Sequence, residues 1–117
     1  MRAAKRTYLG SKRMTIEDLA SVVYKNARVL MAPAAIRAVR KGHANLTKHL
    51  SSGRAFYSIN TGFGALSGVK VSADKLMELQ ANLVRSHSSG TGEPFPPEIA
   101  KAALAVTANS LARGYSG

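Results

Sequence analysis

The 117-residue chain has no cysteine and only 6 acidic side chains against 17 lysines and arginines. Without cysteine there is no disulfide framework, no thiolate nucleophile and no cysteine-ligated zinc. Long hydrophobic runs are lacking too. Those present are short and soon broken by charge, so no segment reads as spanning a membrane. The first fourteen residues are basic with no apolar stretch behind them, which does not read as a secretory leader. Together these absences suit a soluble, cytoplasmic domain. What is there is a 45% hydrophobic composition, enough for a core, in a chain short enough for one domain.

The positive charge is uneven. Residues 1–50 carry 11 basic and 2 acidic side chains, a balance of +9, whereas residues 51–117 carry 6 and 4. The first half invites a polyanionic partner and the second does not. Arg2, Lys5, Arg6, Lys12 and Arg13 follow one another without periodicity. Residues 1–14 therefore read as a basic, flexible arm ahead of a domain over residues 15–117.

From Thr15 onward the pattern is helical. Thr15 suits an N-cap accepting from the amide of Asp18, with Glu17 and Asp18 in the first turn where the helix dipole favours acids. Ile16, Leu19, Val22 and Val23 recur at helical spacing, which predicts a helix to about Asn26 and then a short strand-like connector. Pro33 suits the first position of a second helix. Its apolar stripe is Ile36, Val39, Leu46 and Leu50, with His43 on the same face as a packed, hydrogen-bonded histidine. Arg37, Arg40, Lys41 and Lys48 lie mostly off that stripe, and Gly53 ends the segment.

Residues 55–59, with Phe56 and Tyr57, read as a brief strand entering the loop Asn60-Thr61-Gly62-Phe63-Gly64. A cap at Ser72 predicts a third helix ending near His87. Ser88-Ser89-Gly90-Thr91-Gly92 breaks that helix, and Pro97 opens an alanine-rich fourth helix that ends before a left-handed Gly114. The chain is thus mostly helical, interrupted by two glycine-rich loops.

Neither loop is a nucleotide site by pattern. Each has two glycines, with no third glycine at dinucleotide spacing, no βαβ unit and no Gly-Lys-Ser/Thr. Tyr57 precedes the first loop and His87 the second. A phenol has a pKa of about 10, so action as a base requires surroundings that stabilise phenolate. A strand tyrosine alone is commonly core, and a lone histidine at a helix end is commonly a cap.

Taken together, these segments resemble a known family. Tyr57-Ser58-Ile59-Asn60-Thr61-Gly62-Phe63-Gly64 closely resembles the signature of the aromatic amino acid ammonia-lyases. Asn82-Leu83-Val84-Arg85-Ser86-His87-Ser88-Ser89-Gly90-Thr91-Gly92-Glu93-Pro94 resembles its next block, and Leu111-Ala112-Arg113-Gly114-Tyr115-Ser116-Gly117 a third. The Ser86-His87 pair is similar to that of histidine ammonia-lyases, although bacterial tyrosine ammonia-lyases can share the histidine. The resemblance implies a mainly α fold, the N-terminal helical domain of the ammonia-lyase (fumarase/aspartase-like) fold, with one or two short strands. It implies non-oxidative elimination of ammonia from L-histidine to give urocanate, on a methylideneimidazolone (MIO) group made from an Ala-Ser-Gly tripeptide. By the resemblance Tyr57 matches the catalytic base, His87 a substrate-binding histidine near the substrate ring, and Asn60, Thr61, Gly62, Phe63 and Gly64 the mobile active-site loop. Ser58 departs from the glycine that many members carry there.

No Ala-Ser-Gly occurs in the chain. The expectation is therefore the N-terminal portion of a longer lyase, inactive alone. Its partners would be the rest of the lyase chain, neighbouring subunits of a homotetramer and a small-molecule amino acid, with no membrane or nucleic acid. A fragment of a tyrosine or phenylalanine ammonia-lyase or aminomutase is the alternative within the family. A non-catalytic basic module on the same scaffold is the alternative outside it, and salt-sensitive polyanion binding would mark it.

Overall fold

The structure, a computed structural model, describes residues 5–11 and 13–116. The flexible-arm expectation for residues 1–4 and for Lys12 lies outside them, as does Gly117. Among the described residues four helices and two short strands follow the order β1 (Arg6–Leu9), α1 (Ile16–Lys25), β2 (Arg28–Met31), α2 (Pro33–Leu50), α3 (Leu76–His87) and α4 (Pro97–Leu111). A 3-10 turn, Ala73–Lys75, precedes α3, and another, Gly64–Leu66, lies in the glycine loop. The mainly α expectation with one or two short strands holds. Among the described residues no helix is long and apolar enough to cross a membrane. The chain divides into two compact units, one from the residues up to Leu46 together with those from Pro94 on, the other from Thr47 to Glu93.

The first unit begins with a correction. Arg6–Leu9, expected in a solvated arm, is a strand paired in parallel with β2, Arg6 opposite Arg28 and Leu9 opposite Met31. Thr7 and Leu9 are buried while Arg6 and Tyr8 face outward, so alternation was present but only four residues long. With α1 between the strands this is a βαβ crossover, which the sequence reading did not anticipate. It precedes the glycine loops rather than enclosing them.

Helix α1 starts as expected. Thr15 Oγ1 accepts from the Asp18 amide at 3.1 Å and the Asp18 carboxylate accepts from the Thr15 amide at 3.3 Å, a reciprocal capping box. The exposed Glu17 carboxyl is held below its usual pKa, first by its own backbone amide and then by the Thr15 hydroxyl. Asn26 ends the helix in the left-handed conformation that asparagine tolerates.

Helix α2 starts at Pro33 as expected, but its packed face is not the large apolar stripe. Ala35 is buried, whereas Ile36 and His43 are exposed. The face that packs is Ala35, Ala38 and Gly42, at i, i+3 and i+7, about 100° around the helix from the expected one. The reason is the closeness of the backbone opposite. A Cβ on Gly42 would overlap the Gly114 carbonyl oxygen, and one on Gly114 would lie 2.5 Å from the Ala38 carbonyl carbon. Only small side chains fit there, so the bulky residues stand aside. Leu9, Ala32, Ala35 and Ala112 form the core, with Met14 and Ala108 packed on it. Gly114 has φ +76°, the left-handed angle expected of it.

In the second unit, residues 55–59 are a turn and not a strand. The amides of Ile59 and Asn60 both donate to the Phe56 carbonyl, and Ser58 has φ +68°. Aromatic residues raised the strand propensity, but the Asn60 side chain captures the backbone groups that a ladder would have used. Residues 61–70 form a closed loop. Thr61 and Lys70 make an antiparallel bridge, flanked by Gly62 N–H to Val69 O and Val71 N–H to Asn60 O, each 2.9 Å. Ser72 flanks the next 3-10 turn without making the expected side-chain cap bond.

Candidate active site

All seven residues singled out in the sequence lie in the second unit. Tyr57 sits at the crest of the 55–60 turn, 64% exposed, its ring meeting Phe63 edge-on at a 6.5 Å centroid separation. Asn60 and Thr61 are buried. Asn60 Oδ1 accepts from the Phe56 amide at 2.6 Å and Nδ2 donates to the Arg54 carbonyl at 2.8 Å. Thr61 Oγ1 accepts from the Ser58 amide at 3.2 Å and donates to the Gly62 carbonyl at 3.0 Å. Gly62 is buried against Leu66, and a Cβ there would come within 2.5 Å of the Leu66 carbonyl oxygen. Gly64 opens the 3-10 turn with φ +53°.

His87 is the last residue of α3 and is exposed. Its Nδ1 lies 2.9 Å from the Leu83 carbonyl oxygen and 3.1 Å from Ser86 Oγ. A carbonyl only accepts, so the contact with Leu83 puts the proton on Nδ1. In the neutral ring Nε2 is then the acceptor. Ser86 Oγ also donates to the Leu83 carbonyl, fixing the hydroxyl beside the ring. Among the described residues Tyr57 and His87 share no hydrogen bond or ring contact.

Two side chains to which the sequence reading assigned no role make long-range bonds in this unit. Gln80, on α3, donates from Nε2 to the Ser58 carbonyl at 3.2 Å. The Lys70 ammonium donates to the Gly53 carbonyl at the end of α2. Gln80 stands beside the α3 apolar stripe, and nothing local in sequence tells that its partner is 22 residues upstream. A recess of about 660 Å³, bordered by Leu50, Asn60, Lys70, Val71 and Leu76, lies in the same unit. Tyr57 and His87 are not part of its lining.

The described residues hold no cluster of metal-ligating side chains. The four Ser-Gly pairs follow Ser51, Leu66, Ser88 and Tyr115 rather than alanine, with Ser52-Gly53 in the turn after α2 and Ser67-Gly68 just after a 3-10 turn. Ser51 stands before Ser52, so that pair too has the wrong predecessor. These 117 residues therefore do not supply an Ala-Ser-Gly tripeptide.

The aromatic amino acid lyase family model matches residues 14–117. The chain belongs to that family. Histidine ammonia-lyase of Geobacillus thermodenitrificans is 42% identical over 104 residues, 89% of this chain and 21% of that protein. Among solved structures, tyrosine aminomutase from Streptomyces globisporus matches with TM-score 0.87 at 30% identity, over 93% of this chain and 21% of that one. Histidine ammonia-lyase from Trypanosoma cruzi matches with TM-score 0.80 at 34% identity, over 93% and 21%. The chain spans about a fifth of the length of the relatives it matches.

Proposed function

We propose that the chain contributes Tyr57 and His87 to the site of an ammonia-lyase that eliminates ammonia from L-histidine to give urocanate. The observation that carries this reading is the presence in one unit of an exposed Tyr57 on a side-chain-locked turn and of a His87 whose Nε2 is free to accept. Tyr57 is the base for the β-proton, and residues 60–64 carry it. His87 Nε2 accepts from the imidazole N–H of the substrate. An Ala-Ser-Gly segment supplied by the rest of the lyase chain would hold the MIO group, whose chemistry there would be that of an electrophile. These 117 residues alone turn over no histidine. The remainder of a lyase chain and the neighbouring subunits of a homotetramer, in the cytoplasm, complete the protein. The exposed Met77 and Val84 of α3 and Leu104 of α4 support such a partner, since apolar side chains of that size gain by being covered.

The test is a hybrid in which this chain replaces the matching segment of the Geobacillus histidine ammonia-lyase. The hybrid forms urocanate from L-histidine, seen by ultraviolet absorbance. Tyr57→Phe lowers kcat about a hundredfold or more, the usual worth of a general base. His87→Phe raises KM for histidine roughly tenfold, as the loss of one well-made hydrogen bond allows. A Tyr57→Phe hybrid as active as its parent overturns the reading. The likeness to tyrosine aminomutase favours a second reading, a tyrosine-acting member, and the same hybrid assayed with L-tyrosine decides between them.

A further inference from the structure

A reacting side chain can be aimed only as well as the backbone beneath it is held. Tyr57 is followed by Ser58 at φ +68°, a conformation that non-glycine residues keep only where the surroundings impose it. Those surroundings are three side chains. Thr61 Oγ1 takes the Ser58 N–H at 3.2 Å, Gln80 Nε2 gives to the Ser58 carbonyl at 3.2 Å, and Asn60 Oδ1 takes the Phe56 N–H at 2.6 Å. Both residues flanking Tyr57 are therefore tethered by side chains, whereas the phenol is 64% exposed with the edge of Phe63 as its ring contact.

Asn60 and Thr61 are also spent. Each uses its side chain both to accept and to donate within the turn, Asn60 to the Arg54 carbonyl and Thr61 to the Gly62 carbonyl. At 6% and 3% exposure both residues are buried. We propose that Asn60, Thr61 and Gln80 are positioning residues for Tyr57, clamping the peptide groups on either side of it. Gln80 gives the clamp a reach beyond the loop, because it ties the turn to α3, the helix that ends in His87. The proposal rests on Tyr57 as the reacting group, but the clamp itself is a matter of geometry and is measured without turnover.

The experiment uses the full 117-residue chain, with amide exchange read residue by residue by NMR together with the Tyr57 ring signals, which the Phe63 ring current shifts. Thr61→Val keeps the shape and removes the hydroxyl. Ser58 amide exchange then rises roughly fivefold, the population change expected from one neutral hydrogen bond, and the Tyr57 ring signals move toward their unstructured positions. Thr61→Ser, which keeps the hydroxyl, restores both. Gln80→Met gives the same Tyr57 signature and Gln80→Lys, which returns a donor, reverses it. Circular dichroism monitors the helices, and should Thr61→Val unfold them, the two Gln80 variants decide. Unchanged Ser58 exchange and Tyr57 signals in Thr61→Val and Gln80→Met overturn the clamp, as does a failure of Thr61→Ser or Gln80→Lys to rescue them. An active Tyr57→Phe hybrid would remove the lyase role of Tyr57 while leaving these signals as they are, so the two failures are distinguishable.

Discussion

The two units are built by different physics. Every buried apolar side chain among the described residues lies in the first: Leu9, Val23, Ala27, Ala32, Ala35, Ala105 and Ala112. In the second, the buried residues are Asn60, Thr61 and Gly62, two polar side chains and a glycine. One unit is held by close packing of small side chains, the other by side chains that bond to backbone. Packing of that kind tolerates no added volume. A polar-built turn is sensitive to the loss of a partner, because a part-buried group is left unsatisfied.

The comparison is broken most directly at Gly114. Gly114→Ala places a Cβ 2.5 to 2.8 Å from the backbone of Ala38 and Val39 at a φ of +76°. We expect a loss of about 3 kcal/mol from strain and overpacking combined. Urea unfolding followed by far-ultraviolet circular dichroism measures it, and a loss too small to shift the midpoint would mean that the first unit is not packed at that contact. Next comes Asn60→Leu, which strands the Phe56 amide and the Arg54 carbonyl and costs about 2 kcal/mol. That cost should be local: amide exchange rises over residues 54–71 while α4 stays protected. Equal loosening of both units would contradict their separate construction.

Thr15→Ala removes one half of the capping box and should destabilise the first unit by about 1 kcal/mol. The thermal midpoint reports it, with Tyr57 ring signals unmoved. The smallest effect is the one of opposite sign. Ser58→Gly relieves a left-handed residue, partly offset by the greater freedom of glycine in the unfolded chain, for a net gain of about 0.5 kcal/mol. Exchange of the Phe56 amide should slow slightly, whereas acceleration would mean that Ser58 is not strained there.

Much of the first unit was legible in local sequence. The Thr15 cap, the Pro33 and Pro97 starts and the Gly114 stop are each decided within a few residues, by who can accept from a free amide or adopt a given φ. The β1 strand was not legible. Its partner lies more than twenty residues on, and four alternating residues within a basic stretch look like any solvated segment. The face of α2 was misjudged for a related reason. Hydrophobicity points to Ile36, Val39 and Leu46, but the contact is set by how close Gly10, Ala112 and Gly114 come, and closeness selects the smallest side chains. In the site, Tyr57, His87 and residues 60–64 were visible as a motif, while the strand expected beneath Tyr57 proved to be a turn. Gln80 and Lys70 carried no local signal, because each bonds to a carbonyl 17 or more residues away.

By itself the sequence determined the helical class, the helix ends and the residues that mark the aromatic amino acid lyases, since propensity, capping and motif spacing act over a few residues. Tertiary structure alone decided which face of α2 packs and that a basic segment pairs as a strand. Those outcomes depend on backbone meeting backbone across long separations, where the identity of the partner and not the local pattern sets the energy.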